Sequence, residues 1–338
     1  MSSWTEGSID APDHHRDRIP FSPWPPGWYY LCRSRDLRPG PIGVELGRLR
    51  LVAFRNNDDG VVSVLDGRCS HMGTWLDRGS VHQGRIRCPL HGWEYGSDGR
   101  CVHIPVSKTL PPFACQTVYP SIEIRGHVLV FNAPGARFPM PFFEGRSPDD
   151  LVPAEPFDFI GAVPWYMIGA NAFDVQHFHN AHDRKLLSAP CIDCPAPFAR
   201  RIVAAYEVTG NSIRDALTRK FAGPQVRMSI TVWAGSLILV TASFRRTTSY
   251  GMVLVRPLGP CRTLMRTIVW VQRGASAFSR AVFDPINTWI RRHFIREFLK
   301  QDAVRANGAG YHPTTLIDAD SEMLQYFNWL AKISPASD

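Results

Sequence analysis

Two short pairs of residues constrain this chain more than anything else in it. Cys69-Ser70-His71 and Cys88-Pro89-Leu90-His91 each offer a thiol and an imidazole, with sixteen residues between the pairs. Turn-forming residues flank both: Asp66-Gly67 before the first, Gly73 after it, Pro89 within the second and Gly92 after it. Glycine permits the backbone conformations and close approach that two loops need to fold over one inorganic centre. A zinc site of two Cys and two His is one reading. Zinc knuckles usually pair ligands of one kind, whereas Cys-then-His twice suits a [2Fe–2S] cluster in which the cysteines hold one iron and the histidines the other. The flanking sequence is that of a rigid clamp. Apolar, β-branched segments at 27–32, 49–54, 61–65 and 126–131 are separated by turn signals at Pro39-Gly40, Asn57–Gly60, Asp66-Gly67 and Asp98-Gly99. They predict a small all-β domain over 27–133.

A second pattern follows, Asn171…Asp174…His177…His182. Two His and a carboxylate form a set that leaves positions on iron open for oxygen. The segment 170–182 reads as a helix. Asp174 and His177 share a face, but His177 and His182 are five apart, so the helix must bulge, kink or end for both to reach one metal. His179 and Asp183 offer competing spacings, and the residues alone leave the ligand set open. A long helix over 281–306 supplies further carboxylates. Asp284 precedes its core. Glu297 lies among Arg291, Arg292, Arg296 and Lys300, as a solvated ion-pair partner would. Asp302 shares a face with Ile295, Phe298 and Leu299 and therefore lies on the apolar side.

The 338 residues suffice for two cores. Residues 1–26 read as a tail, 134–164 as a Pro/Gly-rich linker over the surface, and 165–338 as a mixed domain. Strands at 227–233, 237–244, 251–256 and 263–271 follow one another with little helix between them, which predicts antiparallel pairing. Met228, Trp233, Tyr250, Met252 and Trp270 are candidate pocket walls, with core packing the simpler role for each. The longest apolar stretch, 236–244, is too short to span a bilayer, and the polar first eighteen residues carry no signal-like core, so a cytoplasmic location is expected. The net charge of +8 describes a solvated basic surface or a docking face for an acidic redox partner. No nucleic-acid module is present. Cys32, Cys101, Cys115 and Cys261 read mostly as buried thiols, and Cys191-Ile-Asp-Cys194 as a loop with two structural thiols.

The two patterns together resemble the Rieske non-heme iron oxygenases. The resemblance implies an α+β chain, an all-β Rieske domain followed by a helix-grip (START-like) catalytic domain with an antiparallel sheet. It also implies that Cys69, His71, Cys88 and His91 hold the [2Fe–2S] cluster, and that His177, His182 and Asp302 hold a mononuclear Fe(II). Asp174 is then a bridge between an iron-ligand His and a Rieske His of a neighbouring subunit in a homotrimer, with His179 in nearby pocket contacts. Neither loop has the extra Cys of the respiratory Rieske proteins, and Gly92-Trp93 replaces their Gly-Ser. Fewer hydrogen bonds to the cluster imply a low potential. No G-x-G-x-x-G after a strand and no plant-type ferredoxin spacing occurs, so electrons come from a separate ferredoxin or reductase using NAD(P)H. The length and the segment from Asp302 to Trp329 are similar to monooxygenases of the 3-ketosteroid 9α-hydroxylase type acting on bulky apolar substrates. The demethylases of aryl ethers or amines share the same ligands. A pure electron-transfer protein is the alternative without catalysis.

Overall fold

The computed structural model describes residues 19–38, 40–56 and 60–336. Residues 1–18 of the expected tail, Pro39 of one expected turn and 57–59 of another lie outside the described residues. The end of the expected tail is not a tail. Phe21 is buried, bridges to Pro335 and packs on Trp165, Tyr166, Tyr311 and Phe327.

The N-terminal half consists of three small antiparallel sheets. One is β1 (Trp28–Arg33), β10 (His127–Phe131) and β9 (Ser121–Ile124). The second is β2 (Ile42–Leu46), β3 (Leu49–Arg55) and β4 (Val62–Asp66). The third is β5 (Ser80–His82), β6 (Arg85–Arg87), β7 (Glu94–Tyr95) and β8 (Cys101–His103). Side chains alternate across a strand, and β3 shows the consequence. Leu51 and Ala53 face a core with Tyr29, Val64 and Val130, while Val52 and Phe54 face a second core with Ile86, Tyr95, Cys69 and Cys88. The two candidate ligand thiols are thus built into a packed interior. Each large apolar side chain buried there contributes about 1.5–3 kcal/mol.

The C-terminal half is a nine-stranded antiparallel sheet. Its main path runs β11 (Leu151–Pro153), β19 (Arg262–Gln272), β18 (Thr248–Gly259), β17 (Leu237–Phe244), β16 (Gln225–Trp233), β15 (Ala199–Val208) and β13 (Arg184–Leu186), with β12 (Phe157–Gly161) also on β19 and β14 (Cys191–Ala196) also on β15. The segment 134–164 does not simply run over the surface. Phe138, Phe143 and Leu151 are buried, and β11 and β12 complete one edge of the sheet. Its Pro and Gly residues mark turns between short strands rather than a spacer.

Among the described residues five α-helices surround the sheet: α1 (Trp165–Ala170), α2 (Val175–His182), α3 (Ile213–Phe221), α4 (Ala277–Arg305) and α5 (Ser321–Ile333). The expected helix over 170–182 is broken at 171–174. One face of the sheet, with Ile202, Tyr206, Ile230, Val253 and Val255, packs against α1 and α5. The other, with Leu239, Tyr250, Met252 and Trp270, packs against Trp28, Tyr30, Leu129 and Phe131 of the N-terminal half. Alternation along β18 therefore sends Tyr250 and Met252 away from the helix-covered face, and Trp233 and Trp270 go with them. Of the candidate walls only Met228 lines the cavity described below. Cys32 and Cys101 are buried, but Cys115 and Cys261 are exposed. Cys191 and Cys194 sit on the strand β14, not on a loop, and both are exposed. Both are free thiols.

Candidate metal centres

The two loops of the first centre are built alike. Cys69 N–H donates to Thr74 O and Gly73 N–H to Cys69 O. Cys88 N–H donates to Trp93 O and Gly92 N–H to Cys88 O, all at 2.8–3.1 Å. Each turn closes through a glycine with φ near +70° (Gly73 at 73°, Gly92 at 70°), a conformation in which a side chain is strained. The thiols of Cys69 and Cys88 are buried and the rings of His71 and His91 are exposed. The rings lie 4.7 Å apart, and His71 stacks on Trp93 at 4.4 Å. Burial first, and the neighbouring Cys69 sulfur, push the Cys88 thiol up. Two sulfurs kept from water beside one another are costly as bare thiolates and suit a centre that neutralises them, so this donor set fits a [2Fe–2S] group. Tyr95 is one site residue that the spacing did not reveal. Its hydroxyl is 3.0 Å from Cys69 Sγ and 3.0 Å from Ser70 Oγ. A phenol four residues after His91 was the available signal.

At the second centre the chain solves the five-residue spacing by ending the helix. His182 is the last residue of α2, and Asp183 caps it in the left-handed region at φ 51°. Asp174 is the N-cap, its carboxylate accepting from His177 N–H at 3.1 Å. His177 Nδ1 donates to Asp174 O at 2.7 Å, which turns Nε2 towards the site. Asp302 reaches in from α4. Its Oδ1 lies 2.6 Å from His182 Nε2 and 3.9 Å from His177 Nε2. One ligand atom from each of the three residues falls within 4.8 Å of the others. His182 Nε2 is buried and, although close to Asp302, makes no aligned hydrogen bond. An orphaned ring nitrogen facing a carboxylate is what a metal ion would satisfy. Burial lowers the pKa of His177, against the opposite pull of Asp302, and keeps it in the neutral, ligating form.

The surroundings hold these groups in place. The His182 ring stacks on Phe298 at 3.7 Å, and Arg184 donates to His182 O at 2.7 Å while pairing with Asp215 at 2.9 Å. Burial pushes the Asp215 carboxyl up, but hydrogen bonds from Ser212 and Arg184 outweigh it and hold it below the usual range. The Arg184–Asp215 pair was not foreseen from the sequence, since it joins β13 to α3. His179 is exposed and outside the cavity, so the expected pocket contact is not made. Asp284 accepts from Gly274 N–H and is spent at the start of α4. His177 and Asp302 border a cavity of about 780 Å³ between the sheet and α4, whose wall includes Phe178, Met228, Val240 and Phe294.

Residues 27–114 match the Rieske [2Fe–2S] domain family. In overall structure the chain is similar to dicamba monooxygenase bound to 3,6-dichlorosalicylic acid, with a TM-score of 0.69 and 18% identity over 91% of this chain and 96% of that one. It is also similar to a variant of NdmA from Pseudomonas putida CBB5 with theobromine, at a TM-score of 0.65 and 20% identity over 90% and 88% of the two chains. The fold is that of these two structures. Among curated proteins, a probable 3-ketosteroid-9-alpha-monooxygenase oxygenase component of Rhodococcus rhodochrous is 36% identical over 132 residues, 38% of this chain and 33% of that protein. A tert-butanol monooxygenase / tert-amyl alcohol desaturase oxygenase subunit of Aquincola tertiaricarbonis is 32% identical over 158 residues, 46% and 33% of the two. These alignments span about a third of the length of each relative. The Rieske domain carries a [2Fe–2S] cluster, and no helix among the described residues is long and apolar enough to cross a membrane.

Proposed function

We propose that this protein is the oxygenase component of a Rieske monooxygenase acting on a bulky apolar small molecule. Cys69, His71, Cys88 and His91 would hold the cluster, and His177, His182 and Asp302 a mononuclear iron. The observation that carries the reading is the His177–His182–Asp302 cluster at the wall of an apolar cavity. An electron carrier needs no such cavity beside three converging ligand atoms. When bound, the cluster supplies electrons singly, and the iron, with three protein ligands and open positions, supplies oxygen activation.

The chain's own residues prepare that chemistry. The apolar wall excludes water from the reacting carbon. Phe298 and the Asp174 carbonyl fix the two imidazoles, and Arg184 fixes the backbone of His182. The exposed edges of His71 and His91 give the cluster a route to another protein surface. We take that surface to include Asp174 of a second copy in a homotrimer, and the electron source to be a separate ferredoxin or reductase using NAD(P)H. The similarity to steroid- and alcohol-oxidising relatives supports hydroxylation. Iron and sulfide analysis with a surrogate reductase tests the reading. Three irons per chain and O₂-dependent product are expected. Two irons and no product with any candidate substrate would refute it.

A further inference from the structure

The cavity wall carries one charge that the iron site does not use. Among the described residues the lining holds a single acid, Asp302, and two cations, Arg184 and Arg291. Arg184 is paired with Asp215. Among the described residues Arg291 has no carboxylate within ion-pair distance. Its two terminal nitrogens donate to the hydroxyls of Ser249 and Thr247, neutral groups on β18 and the turn before it. These fix the planar fork and leave its charge uncompensated. Burial is the sole cause acting on the guanidinium and lowers its pKa. A half-buried cation without a carboxylate partner among the described residues is costly in an apolar wall.

Its place on α4 gives it a function. Arg291 and Asp302 are eleven residues apart, about three turns, so they share one face about 16 Å apart along the axis. Ile295 and Phe298 lie between them, and both line the cavity. The Arg291 end is open: Phe221, Asn287 and Ile290 also line it and are exposed. The Ala222 carbonyl accepts from Arg246 N–H, which sets the end of α3 beside this same mouth.

We propose that Arg291 binds the carboxylate of an elongated apolar substrate whose opposite end lies at the His177–His182–Asp302 site. This rests on the oxygenase reading and adds the substrate class to it. A carboxylate matches the guanidinium fork, and one cation in an apolar mouth suits a monoanion better than a phosphate. Because α4 carries both Asp302 and Arg291, the distance between the anchored end and the iron is set by one helix.

Equilibrium binding to the metal-loaded protein by calorimetry tests this without turnover. The probes are palmitic, biphenylacetic and cholanoic acids, each beside its methyl ester. At least one acid should bind about tenfold or more tightly than its ester. R291M should lose that preference while binding the ester within about threefold of the parent, and R291K should keep part of it. If no acid outbinds its ester, or if R291M weakens both equally with iron content and far-ultraviolet spectrum unchanged, the assignment is wrong. An acid preference that depends on Arg291 in a protein that yields no oxygenated product would instead separate the failure of the oxygenase reading from this one.

Discussion

Asp174 stands at the junction of two explanations, and the structure shows how to separate them. By the resemblance it bridges cluster and iron between subunits. In the fold it is also the N-cap of α2, accepting from His177 N–H at 3.1 Å. That helix has only eight residues, and two of them are candidate iron ligands. Replacement by Ala removes cap and charge together. Loss of an N-cap costs about 1 kcal/mol, within a range of roughly 0.5–2. If that energy must be recovered to assemble the iron site, D174A binds mononuclear iron about fivefold more weakly, since ~1.4 kcal/mol is a factor of ten. Asn caps a helix as well as Asp, so D174N should keep iron at the parental level. It carries no charge, and the bridge needs an acceptor for a ring N–H that a carboxylate makes stronger.

The two variants therefore separate. D174N should retain both metals and both spectroscopic signals yet lose most of its turnover. In single-turnover mixing of reduced protein with substrate and O₂, oxidation of its cluster should slow by about a hundredfold or more, corresponding to a charge-assisted bond of roughly 3 kcal/mol. D174A should combine that defect with the fivefold loss of iron. Rapid-mixing absorbance of the cluster and iron titration read the two effects independently. Parental cluster oxidation in D174N would refute the bridge. Equal iron loss in D174N and D174A would refute the cap argument.

Other consequences are equally direct. Asp302→Ala should abolish mononuclear iron binding while leaving the cluster's EPR signal, because Asp302 groups with His177 and His182 and with none of the four cluster residues; joint loss of both signals would contradict the division into two centres. Tyr95→Phe removes a hydrogen bond to Cys69 Sγ and should lower the cluster potential by tens of millivolts, about 60 mV for a difference of ~1.4 kcal/mol between redox states, as read by redox titration. His127, buried beneath Trp270, is held down to about 4 by burial first and then by Arg33 and Arg266. The unfolded chain therefore binds the extra proton between pH 6.5 and about 4, and this contribution to stability falls by about 1.4 kcal/mol per unit as pH drops through that window. His127→Gln should flatten that slope in unfolding measured at pH 5 and 7. Gly169→Ala should destabilise the chain by about 1–3 kcal/mol, because its Cβ would come 2.2 Å from the hydroxyl of buried Tyr326; thermal melting tests this.

Much of the candidate cluster site was legible because its parts are local. Cys69, His71, Cys88 and His91 sit on two short loops whose glycines and prolines are themselves turn signals, so spacing and conformation appear together in the sequence. The candidate iron site was only partly legible. The misfit of His177 and His182 on one helix announced an irregularity, and the chain resolves it by breaking the helix at 171–174 and ending it at His182. Asp302 was legible because a carboxylate among Ile295, Phe298 and Leu299 breaks the apolar pattern of its face. Direction was less legible, although core packing was the simpler reading for each candidate wall and is what four of the five do. Trp233, Tyr250, Met252 and Trp270 were apolar and on strands, but strand periodicity leaves open which of the two faces is the pocket. Here the opposite face is taken by Trp28, Tyr30 and Phe131, a packing between distant segments.

The same limit explains why Arg291 escaped notice. In the sequence it is one of several basic residues around Glu297, and proximity suggested a solvated ion-pair cluster. Spacing from Asp302 carries the opposite message. Residues at steps of four, seven and eleven before Asp302 are Phe298, Ile295 and Arg291, a single stripe in which two apolar walls lead to a cation. A stripe of that kind on an otherwise ordinary amphipathic helix would be a folding error if the face met only the core. It is consistent when the face meets a cavity, because the third partner of the charge is then not protein. On this proposal the helix that carries Asp302 also measures the substrate, and moving the cation four residues along it, to position 295 as R291L/I295R, should favour acids shorter by about 6 Å. Binding of a homologous series of ω-phenylalkanoic acids reads this directly, and an unchanged chain-length optimum would break the link between the two ends of α4.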